Sequence, residues 1–430
     1  MSVVERVLFV SGTSAGATLR YRVRLAEEAL RSRGIRTAAI HFSEPALRSW
    51  AAAADVIVLY RVPITSQIVS LVRWAQERGI AITFDVDDRV FSAQHGEHLP
   101  FLDRLAPRKR RQFLLDLPRR GASAALADRG SGATAAIVAD LSEIVAGPVD
   151  LLPNGVGRVA LGHADAVVAD RGSHSTVRLG YFSGSATHDQ DWARIEADVV
   201  EVMQADVRVE LWLVGPLRPS AALGPVAARV RTLGPVEWYD LFALLAQVDV
   251  NLAPLADSPF AEAKSAIKWL EAALVRTPTI ATSTEPFRFA ARDGVDAVLV
   301  EDGSWVPALT ALVTDAPRRL GLGAAARAGA LDRFGPERQA DRYQQFVQAA
   351  VDGPRIVRTK ADLTRALDSG PRLLTVGATL QTYSFQADLV ELTLPRPAWD
   401  GPVSTTRTFA RTTVGKIRST AWGIARKLRR

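Results

Sequence analysis

Short apolar runs ending in glycine or small polar residues, each followed by helical periodicity, recur through most of this sequence. That alternation restricts a chain to parallel sheets flanked by helices. Val7–Ser11 runs into Gly12-Thr-Ser-Ala-Gly16 and a helical pattern through Leu30. Strands are expected at Thr37–His41, Val56–Tyr60 and Ala81–Asp85, alternating with helices near Glu44–Ala52 and Thr65–Arg78. Ala122–Ala127 and Val149–Leu152 give two further strands, the second closing in Pro153-Asn154-Gly155-Val156. Gly157–Thr176 lacks a clear period and is expected to connect two domains. The alternation then restarts, with strands at Val177–Ser183, Val209–Val214, Val230–Leu233, Val248–Leu255, Thr279–Thr282 and Ala297–Val300. Helices are expected at Tyr239–Gln247, Trp305–Thr314 and Pro336–Val351. The fold class is therefore α/β, with two doubly wound domains.

Ligands of such sheets bind beyond the carboxyl ends of the strands. In the first domain that position holds Gly12–Gly16, whose spacing is not G-x-G-x-x-G, and so argues against a dinucleotide fingerprint. It also holds Asp85, Asp87 and Asp88 at the end of the fourth strand. Three carboxylates there suit work on a substrate hydroxyl or a Mg²⁺ ion, and equally ordinary turn chemistry. His95, Glu97 and His98 fall in an expected loop, where they suit a metal site or, as ordinary loop residues, solvent. Phe101–Arg120 interleaves seven cations with Leu102, Leu105, Phe113, Leu114 and Leu117. This is the pattern of a basic amphipathic helix, suited to an anionic membrane or a phosphorylated acceptor, or else a solvated face.

The second domain turns on Pro259–Pro286. Ile267, Leu270 and Leu274 share one face of a helix expected over Ala261–Leu274. Lys264, Lys268 and Glu271 share a neighbouring face, at i, i+4 and i+7. Cations near a helix start, followed by a strand, suit an anionic ligand at a sheet edge. The alternative is an exposed face carrying an ion pair.

The 430 residues include no cysteine, which excludes disulfides and thiolate metal sites. No apolar run approaches a membrane span, so a cytoplasmic or peripheral protein is expected. The net charge of +7 is a property of the C-terminal tail: Gly401–Arg430 holds eight cations and no acid, leaving about −1 elsewhere. A near-neutral remainder argues against a nucleic-acid-binding core. Within the tail, Ile417, Ala421, Ile424 and Leu428 form a helical stripe beside Trp422, a pattern fitting interfacial lipid binding. Residues 352–400 are expected to hold a small appended module, with a helix at Lys360–Leu367 and strands at Arg372–Val376 and Leu389–Leu394.

Laid out in order, the phrases LLPNGV (Leu151–Val156), LGYFSGSATHDQD (Leu179–Asp191), LWLVGP (Leu211–Pro216), Val230–Leu255 and KSAIKWLEAALVRTPTIAT (Lys264–Thr282) resemble a known family. It is the retaining nucleotide-sugar-dependent glycosyltransferases of GT-B fold, the glycosyl transferases group 1. The resemblance runs from about Val4 to Val351 and is densest between Val177 and Gly303. It implies two Rossmann-like domains facing across a cleft: an acceptor domain over 1–160 and a nucleotide-sugar domain over 176–335. A closing helix follows over 336–351, and the basic tail occupies 401–430. No cofactor or metal is implied beyond the nucleotide-sugar donor. Glu271 matches the second glutamate of the family's Glu-x7-Glu motif, whose carboxylate accepts from ribose hydroxyls. The first glutamate is replaced by Ala263, leaving Glu262 displaced by one residue, or Lys264 and Ser265, for that end of the site. Relatives carry an Arg and a Lys after the first strand of the second domain, where this chain has His188, Asp191 and Arg194. Lys264 and Lys268 are then the expected diphosphate cations, with Gly184 and Ser185 amides beside them. Glu262, Asp88 and His188 are the catalytic candidates. Gly12 and Gly16 match the loop approaching donor and acceptor, and Arg20 and Arg22 are expected to meet an acidic acceptor.

The implied reaction moves a sugar from a nucleoside-diphosphate sugar to a sugar, lipid-linked or polysaccharide acceptor. Residues 101–120 and 407–430 would meet an anionic membrane. A nucleotide-sugar epimerase is one rival. A catalytically degenerate binding or scaffold protein, suggested by Ala263, is the other.

Overall fold

The computed structural model describes residues 3–13, 19–99, 102–103, 105–168, 175–184, 189–217, 219–256, 258–301 and 303–368. They form two compact units. The first combines Met1–Gly155, Ser258–Ser265 and the described residues from Pro336; the second combines Val156–Asp257 and Ala266–Gly335.

The first unit is a six-stranded parallel sheet of β1 (Arg6–Ser11), β2 (Arg36–His41), β3 (Val56–Tyr60), β4 (Ala81–Val86), β5 (Arg129–Gly132) and β6 (Val149–Leu151). Its strand order is β2-β1-β3-β4-β5-β6. Alternate residues enter cores on opposite faces, as a period of two requires. Leu8, Val10, Ile57 and Leu59 face one side, with Ile68, Leu71 and Leu117. Val7, Phe9, Val56, Val58 and Tyr60 face the other. That second face is covered by helices Leu25–Arg31 and Pro336–Asp352, the latter contributing Ala340, Tyr343, Phe346, Val347 and Ala350. Each large apolar side chain buried there stabilises the unit by about 1.5–3 kcal/mol.

The second unit holds β7 (Val177–Phe182), β8 (Val209–Val214), β9 (Val230–Leu233), β10 (Val250–Ala253), β11 (Thr279–Thr282) and β12 (Val298–Val300). Its order, β12-β11-β10-β7-β8-β9, is the doubly wound dinucleotide-binding arrangement. The winding reverses between β7 and β10 here, and between β1 and β3 in the first unit, so ligand crevices open at those strand ends.

Several elements differ from expectation. Ala122–Ala127 is not a strand: the helix Pro107–Ala124 continues into it, and β5 is the following Arg129–Gly132. Alanine favours helix, and an Arg-Gly-Ser-Gly strand has no apolar signature, although Gly130–Gly132 are buried between β4 and β6. Part of the expected connection, Arg158–Val168, is a helix burying His163, Ala164 and Val167. Helices Ala135–Ser142 and Ala316–Phe334 were not foreseen. The helix expected over Ala261–Leu274 is two helices, Pro259–Glu262 and Ile267–Leu274. The helix expected at Lys360–Leu367 is present as Lys360–Asp368, and it packs Leu363 and Ala366 into the first core. The strands expected at 372–376 and 389–394, and the tail 401–430, lie outside the described residues.

Candidate functional site

In the first unit, the ends of β1, β3, β4 and β5 gather a network of charged side chains. Gly12 donates to the Tyr60 carbonyl at 2.8 Å. A Cβ on Gly12 would lie 2.1 Å from the Arg61 carbonyl oxygen, so only glycine fits. Arg61 follows β3 with φ of 50°, a left-handed conformation costly for a non-glycine residue. Its guanidinium is thereby turned onto Asp87 and Asp88. Tyr60 donates its hydroxyl to Asp87 at 2.9 Å. Asp88 also meets the Lys264 ammonium at 3.2 Å. Burial opposes ionisation of Asp88, yet Lys264 and Arg61 outweigh it and hold the carboxyl at about 2. Asp87 moves the other way, raised chiefly by burial and then by Asp88, against Arg61. A carboxylate held at about 2 is a weak base near neutrality, so Asp88 is suited to holding cations rather than accepting a proton.

Asp85 anchors a second set. Arg22 lies in a π-helical turn, Arg20–Arg24, and its side chain is fully buried in an ion pair with Asp85. Ser131 donates to Asp85 at 2.6 Å. Arg22 also donates to the Leu152 carbonyl at 2.5 Å and to Asn154 Oδ1 at 3.2 Å. Burial pulls the Arg22 pKa down, but Asp85 more than offsets this and raises it. The expectation that Arg22 meets an acceptor is therefore corrected: a guanidinium enclosed by four acceptors inside the sheet edge has no exposed surface. Among the described residues no group of three or more His, Asp or Glu is placed to hold a metal ion. Asp85, Asp87 and Asp88 instead engage Arg22, Arg61, Lys264, Tyr60 and Ser131.

The segment Ser258–Ser265 belongs to this unit and explains the split helix. Ser258 caps the first helix by accepting from Ala261 N at 3.1 Å, and Pro259 occupies its first turn. Beyond Glu262 each residue is claimed by a tertiary partner. Ala263 is buried in the first core and its carbonyl accepts from Thr134 Oγ1 at 3.3 Å. Lys264 pairs with Asp88 and lies 4.3 Å from the Phe260 ring centroid. Ser265 Oγ accepts from Asn154 Nδ2 at 2.9 Å. Arg89 donates to the Pro259 carbonyl while pairing with Asp140, and His95 Nε2 lies 3.4 Å from that carboxylate. The single face predicted for Lys264, Lys268 and Glu271 is thus absent. Lys264 belongs to the first unit, and Lys268 and Glu271 to the second. Glu262 is exposed at the end of its short helix.

In the second unit the β7 end carries buried Ser183 and exposed Gly184. Gly215, at φ of 120°, closes against the Ser183 carbonyl at a distance no side chain would permit. Asp191 Oδ1 accepts from Ala256 N at 2.8 Å, tying the loops after β7 and β10 at the switch point. Lys268 lies 4.4 Å from the Tyr181 ring centroid, and Asn251 Nδ2 donates to the Lys268 carbonyl at 3.2 Å. Glu271 is half-buried on the Ile267–Leu274 helix. Gly16, Ser185 and His188 lie outside the described residues, as do the side chains of Glu97 and His98.

Residues 178–315, which lie in this second unit except for Ser258–Ser265, match the family model described as glycosyl transferases group 1. That stretch is similar to the glycosyl transferases group 1, over about a third of the chain. Among solved structures, Anabaena HepE in complex with UDP is 14% identical, with 80% of this chain and 100% of that one covered at a TM-score of 0.54. Sucrose-phosphate synthase from Thermosynechococcus elongatus is 16% identical, covering 80% and 98% at a TM-score of 0.56. AviGT4, a glycosyltransferase involved in avilamycin A biosynthesis, is 13% identical, covering 82% and 99% at 0.54. No curated protein sequence matches the chain. At these identities the likeness is one of fold, and the fold is GT-B. The matched stretch contains Glu271 and Lys268, and it also spans the Ser258–Ser265 segment built into the first unit. Sequence reasoning missed Arg61, Asn154, Ser131 and Thr134. Asn154 was visible only as a turn residue between Pro153 and Gly155, and an arginine after an apolar run carries no sign of a left-handed backbone.

Proposed function

We propose that this chain transfers a sugar from a nucleoside-diphosphate sugar to an acceptor, with the second unit taking the donor and the first the acceptor. The observation that carries the proposal is the group 1 match over 178–315, on a doubly wound sheet with its switch point at β7 and β10. Breaking the glycosidic bond builds negative charge on the departing diphosphate, so the reaction needs donors and cations there. In this reading Lys268 meets the diphosphate, helped by Gly184 and Ser185, while Gly12, Gly16, Lys264 and Ser265 are the first unit's own candidates for substrate contact. Glu271 accepts from the ribose hydroxyls. Glu262, Asp88 and His188 are its candidates for the chemistry at the reacting sugar. Retention of configuration follows from the same reading. The exposed run Arg108–Arg111 at the start of helix Pro107–Ala124 suits a lipid-linked acceptor presented at an anionic cytoplasmic membrane face. Among the described residues no helix is long and apolar enough to cross a membrane.

HepE was solved with UDP, which makes UDP the first probe for this chain. Calorimetry is expected to detect UDP or another nucleoside diphosphate binding to the wild type. Glu271→Ala should weaken it at least about tenfold, the scale of lost hydrogen bonds to a charged acceptor. Sugar release from a donor panel, with and without acceptors, then tests transfer. Absence of binding for every nucleoside diphosphate would sink the proposal. A second reading, a binding protein without turnover, is favoured by Ala263: its buried methyl stands where relatives place a carboxylate. Binding with no sugar release for any donor would select it.

A further inference from the structure

We infer that Arg120 is a binding residue of the first unit that takes a negatively charged oxygen group, phosphate or carboxylate, on the acceptor. The inference rests on the reading that the first unit takes the acceptor, and it adds a charge requirement to that substrate.

Arg120 closes the run of cations over Phe101–Arg120, but helix Pro107–Ala124 treats those cations differently. Arg108–Arg111 at its start are exposed, whereas Arg120 is largely covered and keeps part of its surface open. Two backbone contacts fix where it sits. The Arg119 carbonyl accepts from Ile64 N at 2.9 Å, which ties this turn of helix to the loop after β3. A Cβ on the next residue, Gly121, would lie 2.3 Å from the Phe91 carbonyl oxygen, so the helix also closes on the loop after β4. Arg120 therefore stands beside the carboxyl ends of β3 and β4, where a parallel sheet receives its ligand.

Its guanidinium is only partly used there. Nη1 donates to the Val90 carbonyl at 3.3 Å, and the group lies 5.5 Å from the Phe113 ring centroid. Nε is buried without a hydrogen-bond partner among the described residues. Among those residues no carboxylate pairs with Arg120 either. Asp116, one turn earlier, pairs with Arg119 at 3.7 Å, and Asp87 and Asp88 are taken by Arg61 and Lys264. Arg61, Lys264 and Arg120 thus face two carboxylates, and the positive charge in excess is that of Arg120. Burial pushes its pKa down to about 10, Asp116 opposing and Arg61 adding to the fall. A covered cation without a counter-ion is costly unless a group from outside completes it. The planar fork of a guanidinium fits the paired oxygens of a phosphate or carboxylate.

Full-length wild type, R120Q, R120M, R120K and the exposed-cation control R108Q would be titrated calorimetrically at low ionic strength. The anionic probes are inorganic phosphate, glucose 6-phosphate, dihexanoyl phosphatidate and glucuronate, with glucose as neutral control and UDP as the donor probe. Their melting curves would be recorded with and without each anion. Wild type is expected to bind at least one anion, and the preferred probe separates free, sugar-borne and lipid-borne phosphate from carboxylate. R120Q and R120M should lose at least about tenfold in that affinity, and R120K, which keeps the charge but not the fork, somewhat less. R108Q should bind the anion as wild type does, and UDP affinity should be the same in all. Without anion, R120Q and R120M should melt at or above wild type, since a neutral side chain relieves an uncompensated charge; a structural arginine would give the reverse. Wild-type anion affinity in both neutral variants, an equal loss in R108Q, or a lowered melting temperature in both neutral variants overturns the inference. So does a wild type that binds UDP but no anion, which leaves the sugar-transfer reading standing. A wild type that binds neither overturns both.

Discussion

At the scale of residues, the first unit spends its buried charge on geometry. Arg61, Lys264 and Arg22 are each tied to an aspartate at the carboxyl end of the sheet, and the pairs persist because neither partner would be tolerated alone in that environment. Asp88 makes the consequence measurable. Its folded pKa of about 2 lies below the unfolded value of about 3.9, so the folded state binds fewer protons between them. Its contribution to stability is present above about pH 4 and disappears as pH falls through about 2. Asp87, raised by burial, works in the opposite sense, so the Asp88 share is isolated by comparison. Asp88→Asn should be less stable than wild type at neutral pH by roughly 2 kcal/mol, the difference shrinking as the pH drops from 4 towards 2. Urea unfolding across that range measures it; a pH-independent difference would show that the pair carries no such linkage.

At the scale of elements, the informative case is the break between Glu262 and Ile267. Pro259–Leu274 contains no glycine or internal proline that would end a helix, and its apolar spacing is continuous. Thr134, Asp88 and Asn154 nevertheless take the carbonyl, ammonium and hydroxyl of three successive residues. One to three kcal/mol of tertiary bonding outweighs the few tenths per residue that separate helix from loop. This also shows why Ala263 is alanine. Its side chain is 1% exposed within an apolar core, so Ala263→Glu would bury a carboxylate rather than rebuild a Glu-x7-Glu site. That variant is expected to lose about 3 kcal/mol or more and to gain no sugar transfer. Denaturant unfolding and a transfer assay check the two halves; an undiminished stability would mean that the segment can detach from the core.

At the scale of the whole molecule, the first unit is assembled from three separate stretches of chain. The last of them is not an accessory. Helix Pro336–Asp352 places Ala340, Tyr343, Phe346, Val347 and Ala350 in the core beneath β1 and β3, and Arg33 pairs with its Asp341 at 2.6 Å. Burial also pushes the Tyr343 hydroxyl up to about 12. A chain ending at Gly335 would expose the part of that face which helix Pro336–Asp352 covers. It is expected to expose dye-binding apolar surface and to lose the cooperative melting of the first unit, as followed by calorimetry and ANS fluorescence. A truncated protein with an unchanged transition would show that the helix contributes little.

The alternation of apolar runs and helical stretches was enough to specify two parallel α/β sheets, because strand and helix periods are local properties of the side-chain pattern. β3, β8, β9 and β11 and the helix Trp305–Thr314 occur at the boundaries read from the sequence. β5 was misplaced because a strand buried between neighbours needs no apolar side chains of its own, only small ones. What the sequence left undetermined was partnership. Asn154 and Ser265, or Asp88 and Lys264, are separated by more than a hundred residues and meet through side-chain bonds that no local period encodes. The parallel sheets are therefore written in the sequence. The broken helix, the buried Arg22 and the Asn154–Ser265 bond were decided by tertiary contact, where a charged or polar group removed from water takes whichever partner the fold brings to it.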